Sequence, residues 1–142
     1  PALWPAARRA FGPVGARARP TGARITLLNV VKELMVVPRA EALTPTLSSA
    51  DMEQQVRHAR SALEDLRTAF GPEVEVTLEA LPAIDVARSI ADWADGHQVD
   101  LIALSTHGRT GLRHLVLGSV AAAVVRHARV PVLCFPPEGE GR

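Results

Sequence analysis

A glycine-punctuated segment in the last third of the chain has the residue types and spacing to bind a phosphate. It runs from Ser105 to Ser119 and reads STHGRTGLRHLVLGS. Gly108 and Gly111 allow the backbone to approach a ligand closely. Gly118 stands where a helix would begin, so unpaired N–H groups and the positive end of the helix dipole would face a ligand. Because a strand-like run precedes the segment and a helix-like run follows it, the arrangement is typical of anion binding in α/β proteins.

The same residues also have ordinary structural explanations, which the sequence leaves open. A Gly-Ser pair is a common helix start, and Gly108 and Gly111 are common turn residues. Four basic side chains of the segment either contact phosphates or are solvated: His107, Arg109, Arg113 and His114.

Other chemistries have little support. Ser105 and His107 could share one face of a strand as nucleophile and base, but no acidic residue is evident to orient them. His107 and His114 lack the i, i+4 spacing of a helical zinc pair, so we expect no metal site. The sequence contains no Walker-type loop, nucleophile elbow or His-Glu-x2-His motif. We therefore expect no catalytic residues.

The elements that would position this segment alternate along the chain. Strands are predicted at residues 23–31, 73–81, 99–106 and 130–135, and the second of these alternates as an edge strand does. A helix is predicted over 51–70, capped by Ser48 or Ser49, with a stripe of Met52, Val56, Ala59, Leu63, Leu66 and Phe70. Pro82 is predicted to open a second helix, which buries Ile84, Ala87, Ile90, Ala91 and Ala94 and ends at Gly96. A third helix is predicted over 119–129, burying Val120, Val124 and Ala128 or close neighbours. This alternation predicts an α/β fold with a parallel sheet.

Composition indicates one globular domain. The chain has 142 residues, of which 47% are hydrophobic and 22% charged. We expect one domain over 1–142, with an atypical segment at 1–22 and a frayed tail at 138–142. The single cysteine, Cys134, is expected to be a small buried hydrophobe, and it suits a reducing, cytoplasmic location. Residues 1–32 contain six basic and no acidic residues, but we expect neither a nucleic acid nor a membrane partner.

The glycine spacing resembles that of the universal stress protein family. Its nucleotide-binding branch carries Gly-x2-Gly-x9-Gly-(Ser/Thr), and here Ser105, Gly108, Gly118 and Ser119 occupy those positions, so the first glycine is replaced. The resemblance covers residues 22–137 and is strongest over 100–136. It implies an open parallel sheet of order 3-2-1-4-5 with helices on both faces, which is Rossmann-like and similar to the adenine nucleotide alpha hydrolases.

The resemblance also implies a ligand and its contacts. The ligand would be ATP or a related adenine nucleotide, with or without Mg²⁺. Leu104 and Ser105 would approach the adenosine through backbone groups, Gly108 would leave room for the phosphates, and Val30 would line the base pocket. The amide groups at the helix start, with the Ser119 hydroxyl, complete the implied set: Gly118, Ser119, Val120 and Ala121. His107 and Arg109 are candidate phosphate contacts through their own basic side chains. The family often has Ser or Thr where Ala121 stands, so one hydroxyl contact is lost.

One element of the family is missing. The first family strand, which ends in an Asp that contacts the adenine, has no counterpart before residues 1–11, and these resemble the first helix. Gly12, Pro13, Gly15 and Pro20 are expected to break up that helix. Without the first strand, the strands at 23–31 and 99–106 would each lack a neighbour. Omitted residues, a misassigned start or a second chain in the gap would each explain this.

The leading hypothesis is a dimeric, cytoplasmic stress-response protein that binds an adenine nucleotide. The resemblance implies a homodimer through the strand Val130 to Phe135, and an exposed apolar edge strand independently favours pairing. Two alternatives are an interaction module of the same fold that binds no nucleotide, and a slow ATPase.

Overall fold

A computed structural model describes residues 8–34, 48–106 and 117–136. In this part of the chain, helices and strands alternate as the sequence predicts. The elements are α1 (Arg8–Thr21), β1 (Ile25–Lys32), α2 (Ser49–Arg67) with a 3-10 turn (Thr68–Phe70), β2 (Val76–Ala83), α3 (Val86–Gly96), β3 (Ile102–Ser105), α4 (Ser119–His127) and β4 (Val132–Phe135). None of these helices is long and apolar enough to cross a membrane.

The described strands form two parallel pairs. β1 pairs with β2, with Ile25 opposite Val76 and Lys32 opposite Ala83. β3 pairs with β4, with Ile102 opposite Val132. The two pairs are separate two-stranded sheets. These pairs correspond to strands 3-2 and 4-5 of the order 3-2-1-4-5, so the predicted open parallel α/β fold is confirmed.

Among the described residues, β1 and β3 each have one strand partner, and two helices contact both strands. Helix α1 packs on the core of the β1–β2 sheet and also contacts β3, while α3 packs with β3 and also contacts β1. Ile25 and Glu33 donate their N–H groups towards β2, at 2.9 and 2.8 Å from the carbonyl oxygens of Glu75 and Ala83. Since parallel strands alternate the direction of their N–H groups, Leu28 and Val30 direct theirs to the edge of β1 opposite β2.

Each sheet has its own hydrophobic core. In the first, Phe70, Leu63 and Leu66 of the α2 region are at most 3% exposed and pack with Leu27 of β1. In the second, Val124 of α4 is fully buried beside Ala87 and Ala94 of α3 and Ile102 of β3. The stripe predicted for α2 is therefore confirmed at its C-terminal half, whereas Met52, Val56 and Ala59 are half-buried.

Helix α2 begins as the sequence predicts. The Ser48 hydroxyl accepts the Asp51 N–H at 3.2 Å, and the Asp51 carboxylate accepts the Ser48 N–H at 2.9 Å. These reciprocal bonds form a capping box. They hold the pKa of Asp51 below its usual value, with the Ser48 backbone N–H as the largest cause.

The predicted start of the second helix is wrong. Pro82 belongs to β2, opposite Val31, and α3 begins after Asp85, whose carboxylate accepts the Arg88 N–H at 3.0 Å. In this register, the N–H and C=O groups of even-numbered β2 residues point away from β1. The missing N–H of Pro82 therefore removes no hydrogen bond between the two strands. Ile84 consequently lies outside the helix and is 54% exposed. The other predicted positions, including Ala87, Ala91 and Ala94, are buried or half-buried.

Two further expectations need correction. Gly12, Pro13, Gly15 and Pro20 do not break up the first helix, because α1 runs without interruption from Arg8 to Thr21. Packing compensates for the lost backbone bonds, since Phe11 lies 4.9 Å from Phe70 between ring centroids and Ala18 is 4% exposed. In α4, Val120 is 46% exposed, and its neighbour Ala121 is buried instead. Most of the predicted loop at 32–48, and the tail at 138–142, lie outside the described residues.

Candidate functional site

The first turn of α4 follows directly from the residues around it. Gly118 is the N-cap residue, with φ −55° and ψ 156°, and the turn contains no acidic residue. Its carbonyl oxygen accepts the Ala122 N–H at 2.8 Å, which is the first bond of the helix. The N–H groups of Ser119, Val120 and Ala121 therefore have no acceptor within the helix. Together with the helix dipole, they give this end of α4 a positive potential that suits an anion.

Thr106 fixes the position of this turn against the sheet. Its carbonyl oxygen accepts the Gly118 N–H at 2.9 Å, and its own N–H donates to the Phe135 carbonyl oxygen at 3.0 Å. Its hydroxyl donates to the same carbonyl oxygen at 3.3 Å. The start of α4 is thus held at the C-terminal ends of β3 and β4, where open α/β sheets bind ligands.

A close backbone approach explains why residue 118 is glycine. A Cβ atom at this position would lie 2.6 Å from the Thr106 carbonyl oxygen. The φ of Gly118 is accessible to every residue, so the restriction to glycine comes from this contact alone. The Gly118 amide, which the sequence predicts to face a ligand, is already bonded to the Thr106 carbonyl oxygen.

The structure brings part of the predicted site together. Leu104 and Ser105 end β3, opposite Cys134 and Phe135, and are half-buried. Ser119 and Val120 are exposed at the start of α4. Ala121 is only 4% exposed, so its side chain packs inside and is not available to a ligand.

Other predicted residues are not brought to this turn by the described structure. Val30 is half-buried near the end of β1, opposite Leu81, in the other sheet, so strand pairing does not place it beside Leu104. His107, Gly108 and Arg109 lie outside the described residues, as do Arg113 and His114. Cys134 is half-buried in β4 rather than fully buried.

Sequence reasoning did not single out Thr106. Among the described residues, Thr106 is the one buried polar residue, at 9% exposed. The available signal was its place at the end of an apolar strand, two residues before Gly108. A hydroxyl there can join neighbouring backbone groups, although the sequence does not say which ones.

A second, polar cleft lies away from the start of α4. It has a volume of about 110 Å³ between α3 and the end of α4, where Asp95 and Arg129 are 3.5 Å apart. Arg88, Asp92 and His127 also line it, and all five side chains are exposed. Water screens such groups, so the cleft offers little energy for binding.

Comparison with known proteins agrees with this architecture. The model of the universal stress protein family matches residues 3–136. Universal stress protein MJ0531 of Methanocaldococcus jannaschii is 32% identical over 88 residues, which are 61% of this chain and 49% of that protein. The matched segment thus spans about half the length of this relative.

Solved structures show the same fold. The hypothetical protein MJ0577 superposes with a TM-score of 0.72 at 22% identity, covering 93% of this chain and 88% of that one. A universal stress protein in complex with cAMP gives 0.58 at 18% identity, over 94% and 89% of the two chains. The universal stress protein of Archaeoglobus fulgidus in complex with dAMP gives 0.58 at 20% identity, over 92% and 87%. With the family model spanning nearly its whole length, the chain belongs to the universal stress protein family.

Proposed function

We propose that this protein binds an adenine nucleotide through the first turn of α4. The observation that carries the proposal is the set of N–H groups of Ser119, Val120 and Ala121, which the Thr106–Gly118 bond holds at the ends of β3 and β4. A nucleotide phosphate supplies the negative charge that this turn lacks. Related proteins in complex with cAMP and with dAMP support an adenine nucleotide as the ligand.

Within this proposal the ligand is ATP, with or without Mg²⁺. The adenosine lies against the backbone of Leu104 and Ser105, and the phosphates lie at Ser119 to Ala121. Gly108, His107 and Arg109 belong to the proposed site through their place in the sequence. Val30 is proposed to line the base pocket from β1. The activity is regulatory binding in a cytoplasmic stress response rather than catalysis.

Titration calorimetry with ATP tests the binding. We expect heat at millimolar ATP or below, and a roughly tenfold weaker Kd in Ser119→Ala, which corresponds to a lost hydrogen bond to a charged group at about 1.4 kcal/mol. Ser49→Ala is the matched control, because Ser49 is also the exposed first residue of a helix. A wild-type protein that gives no heat at millimolar ATP rejects the proposal.

The proposed assembly is a homodimer through β4. This strand has β3 as its described partner, and all four of its residues, Val132–Phe135, are apolar and half-buried. Its odd-numbered residues face β3, so Cys134 directs its N–H to the outer edge. Cys134→Pro removes that outer donor and leaves the hydrogen bonds to β3 intact. Sedimentation should therefore show a monomer, and circular dichroism should show unchanged secondary structure. A dimer of wild-type affinity in this variant excludes the β4 edge.

The alternative is an interaction module that binds no nucleotide. Two observations favour it: Ser105 stands where the motif has its first glycine, and Ala121 offers no hydroxyl. Such a protein would purify without a bound nucleotide by mass spectrometry and would still sediment as a dimer. A slow ATPase is distinguished from both by phosphate release that survives repurification and is lost in Ser119→Ala.

A further inference from the structure

Thr106 joins two segments that are distant in sequence. Towards α4, its carbonyl oxygen holds the Gly118 N–H at 2.9 Å. Towards β4, its N–H and its hydroxyl both donate to the Phe135 carbonyl oxygen, at 3.0 and 3.3 Å. We call the bonded residues Thr106, Gly118 and Phe135 the Thr106 clasp. Because Thr106 is 9% exposed, water competes weakly for these bonds.

The clasp ties the orientation of one helix to the end of one strand. Gly118 is the N-cap of α4, so a shift of Thr106 moves the first turn and its N–H groups. Phe135 is the last residue of β4 and lies opposite Ser105, so the same shift changes where β4 ends. The close contact at Gly118 allows the two backbones little relative movement, since even a Cβ atom there would lie 2.6 Å from the Thr106 carbonyl oxygen.

We infer that Thr106 is a positioning residue that couples ligand binding at the start of α4 to self-association through β4. This inference rests on the proposed function, in which an adenine nucleotide occupies the α4 turn and a second copy pairs along β4. A nucleotide that orders the α4 turn also orders Thr106, and through the Phe135 carbonyl it orders the strand that the second copy meets. Linkage then requires that self-association tighten nucleotide binding by the same factor.

The hydroxyl makes the inference testable with matched variants. Thr106→Val keeps the size and shape of the side chain and removes only the bond from the hydroxyl to the Phe135 carbonyl oxygen. Thr106→Ser keeps the hydroxyl and removes the methyl group. The N–H bond to the Phe135 carbonyl persists in both variants, so the acceptor is not left without a donor. A role in packing predicts the larger effect for Thr106→Ser, whereas a role in coupling predicts it for Thr106→Val.

The experiment measures the dimer dissociation constant by sedimentation, with and without saturating ATP, in the three full chains. We expect ATP to tighten wild-type self-association at least threefold, Thr106→Ser to retain that factor, and Thr106→Val to give a smaller factor, because the Thr106 N–H still bonds the Phe135 carbonyl oxygen. Calorimetry should give a roughly fivefold weaker ATP Kd in Thr106→Val. Circular dichroism confirms that each variant is folded.

The outcomes separate this inference from the function on which it rests. If wild-type protein binds no ATP, the proposed function fails and the coupling fails with it. If wild-type protein binds ATP but its dimer constant does not change, the coupling is wrong while the proposed function stands, and this result requires no variant. Equal coupling factors in wild type and Thr106→Val also refute the role of the hydroxyl.

Discussion

Replacing Gly118 with alanine tests the close contact on which the site geometry depends. The new Cβ atom would lie 2.6 Å from the Thr106 carbonyl oxygen. That oxygen belongs to the backbone at the end of β3, so it cannot rotate away as a flexible side chain would. Relief requires a displacement of about half an ångström, which lengthens the 2.9 Å bond from the Gly118 N–H.

The sign of the effect separates this contact from backbone entropy. At φ −55° and ψ 156°, alanine is unstrained, so the substitution alone would stabilise the protein by about 0.4–1 kcal/mol through the unfolded state. The crowded contact costs about 1–3 kcal/mol. We therefore expect the free energy of unfolding to fall by about 1–2 kcal/mol, or a few degrees in Tm for a domain of this size.

Gly96→Ala provides the control. Gly96 is the last residue of α3, and a Cβ atom there meets no other atom within 4 Å. Alanine is favoured over glycine in a helix by about 0.5–1 kcal/mol, so this variant should be at least as stable as wild type. Urea denaturation of the three proteins gives the comparison. A Gly118→Ala protein as stable as Gly96→Ala would refute the close contact with Thr106, and with it the constraint placed on the α4 turn.

Three other results are expected. Ser119→Asp should raise the free energy of unfolding by about 0.3–1 kcal/mol through the helix dipole and abolish ATP binding in calorimetry; unchanged binding would place the ligand elsewhere. Amide hydrogen exchange by NMR should alternate along β1, fast at Leu28 and Val30 and slow at Leu27 and Asn29, because only the latter pair points towards β2; uniform protection would mean that a further strand lies beside β1. The capping box should stabilise the protein fully above the ordinary pKa of an aspartate carboxyl, and this stabilisation is lost as the pH falls through the lowered pKa of Asp51. The free energies of unfolding of wild type and Asp51→Asn, measured by denaturation, should therefore converge in acid. A difference that stays constant with pH would contradict the capping role of the Asp51 carboxylate.

The order and type of the elements were predictable because local signals agreed with the packing. Ser48 and Asp51 specify the start of α2 by their own side chains, and the apolar spacing up to Phe70 places its buried face. The start of α3 was mistaken because a proline is acceptable at a helix start and at a strand edge alike. The decision between them depends on which side of β2 is paired, and that is a tertiary property.

The candidate site shows where sequence reasoning stops. A glycine-serine pair before an apolar run predicts a helix start, and the N-terminus of α4 is indeed at Ser119. The contact between Gly118 and Thr106 is separate information, because it joins residues twelve positions apart through backbone atoms that every residue has. The sequence could identify Gly118 as an amide donor, but only the fold shows that this donor is occupied and that three neighbouring amides carry the positive end of the helix. The candidate site is a helix end held at the ends of two strands, so the orientation of its amides depends on Thr106 and Phe135 as well as on the residues of α4 itself.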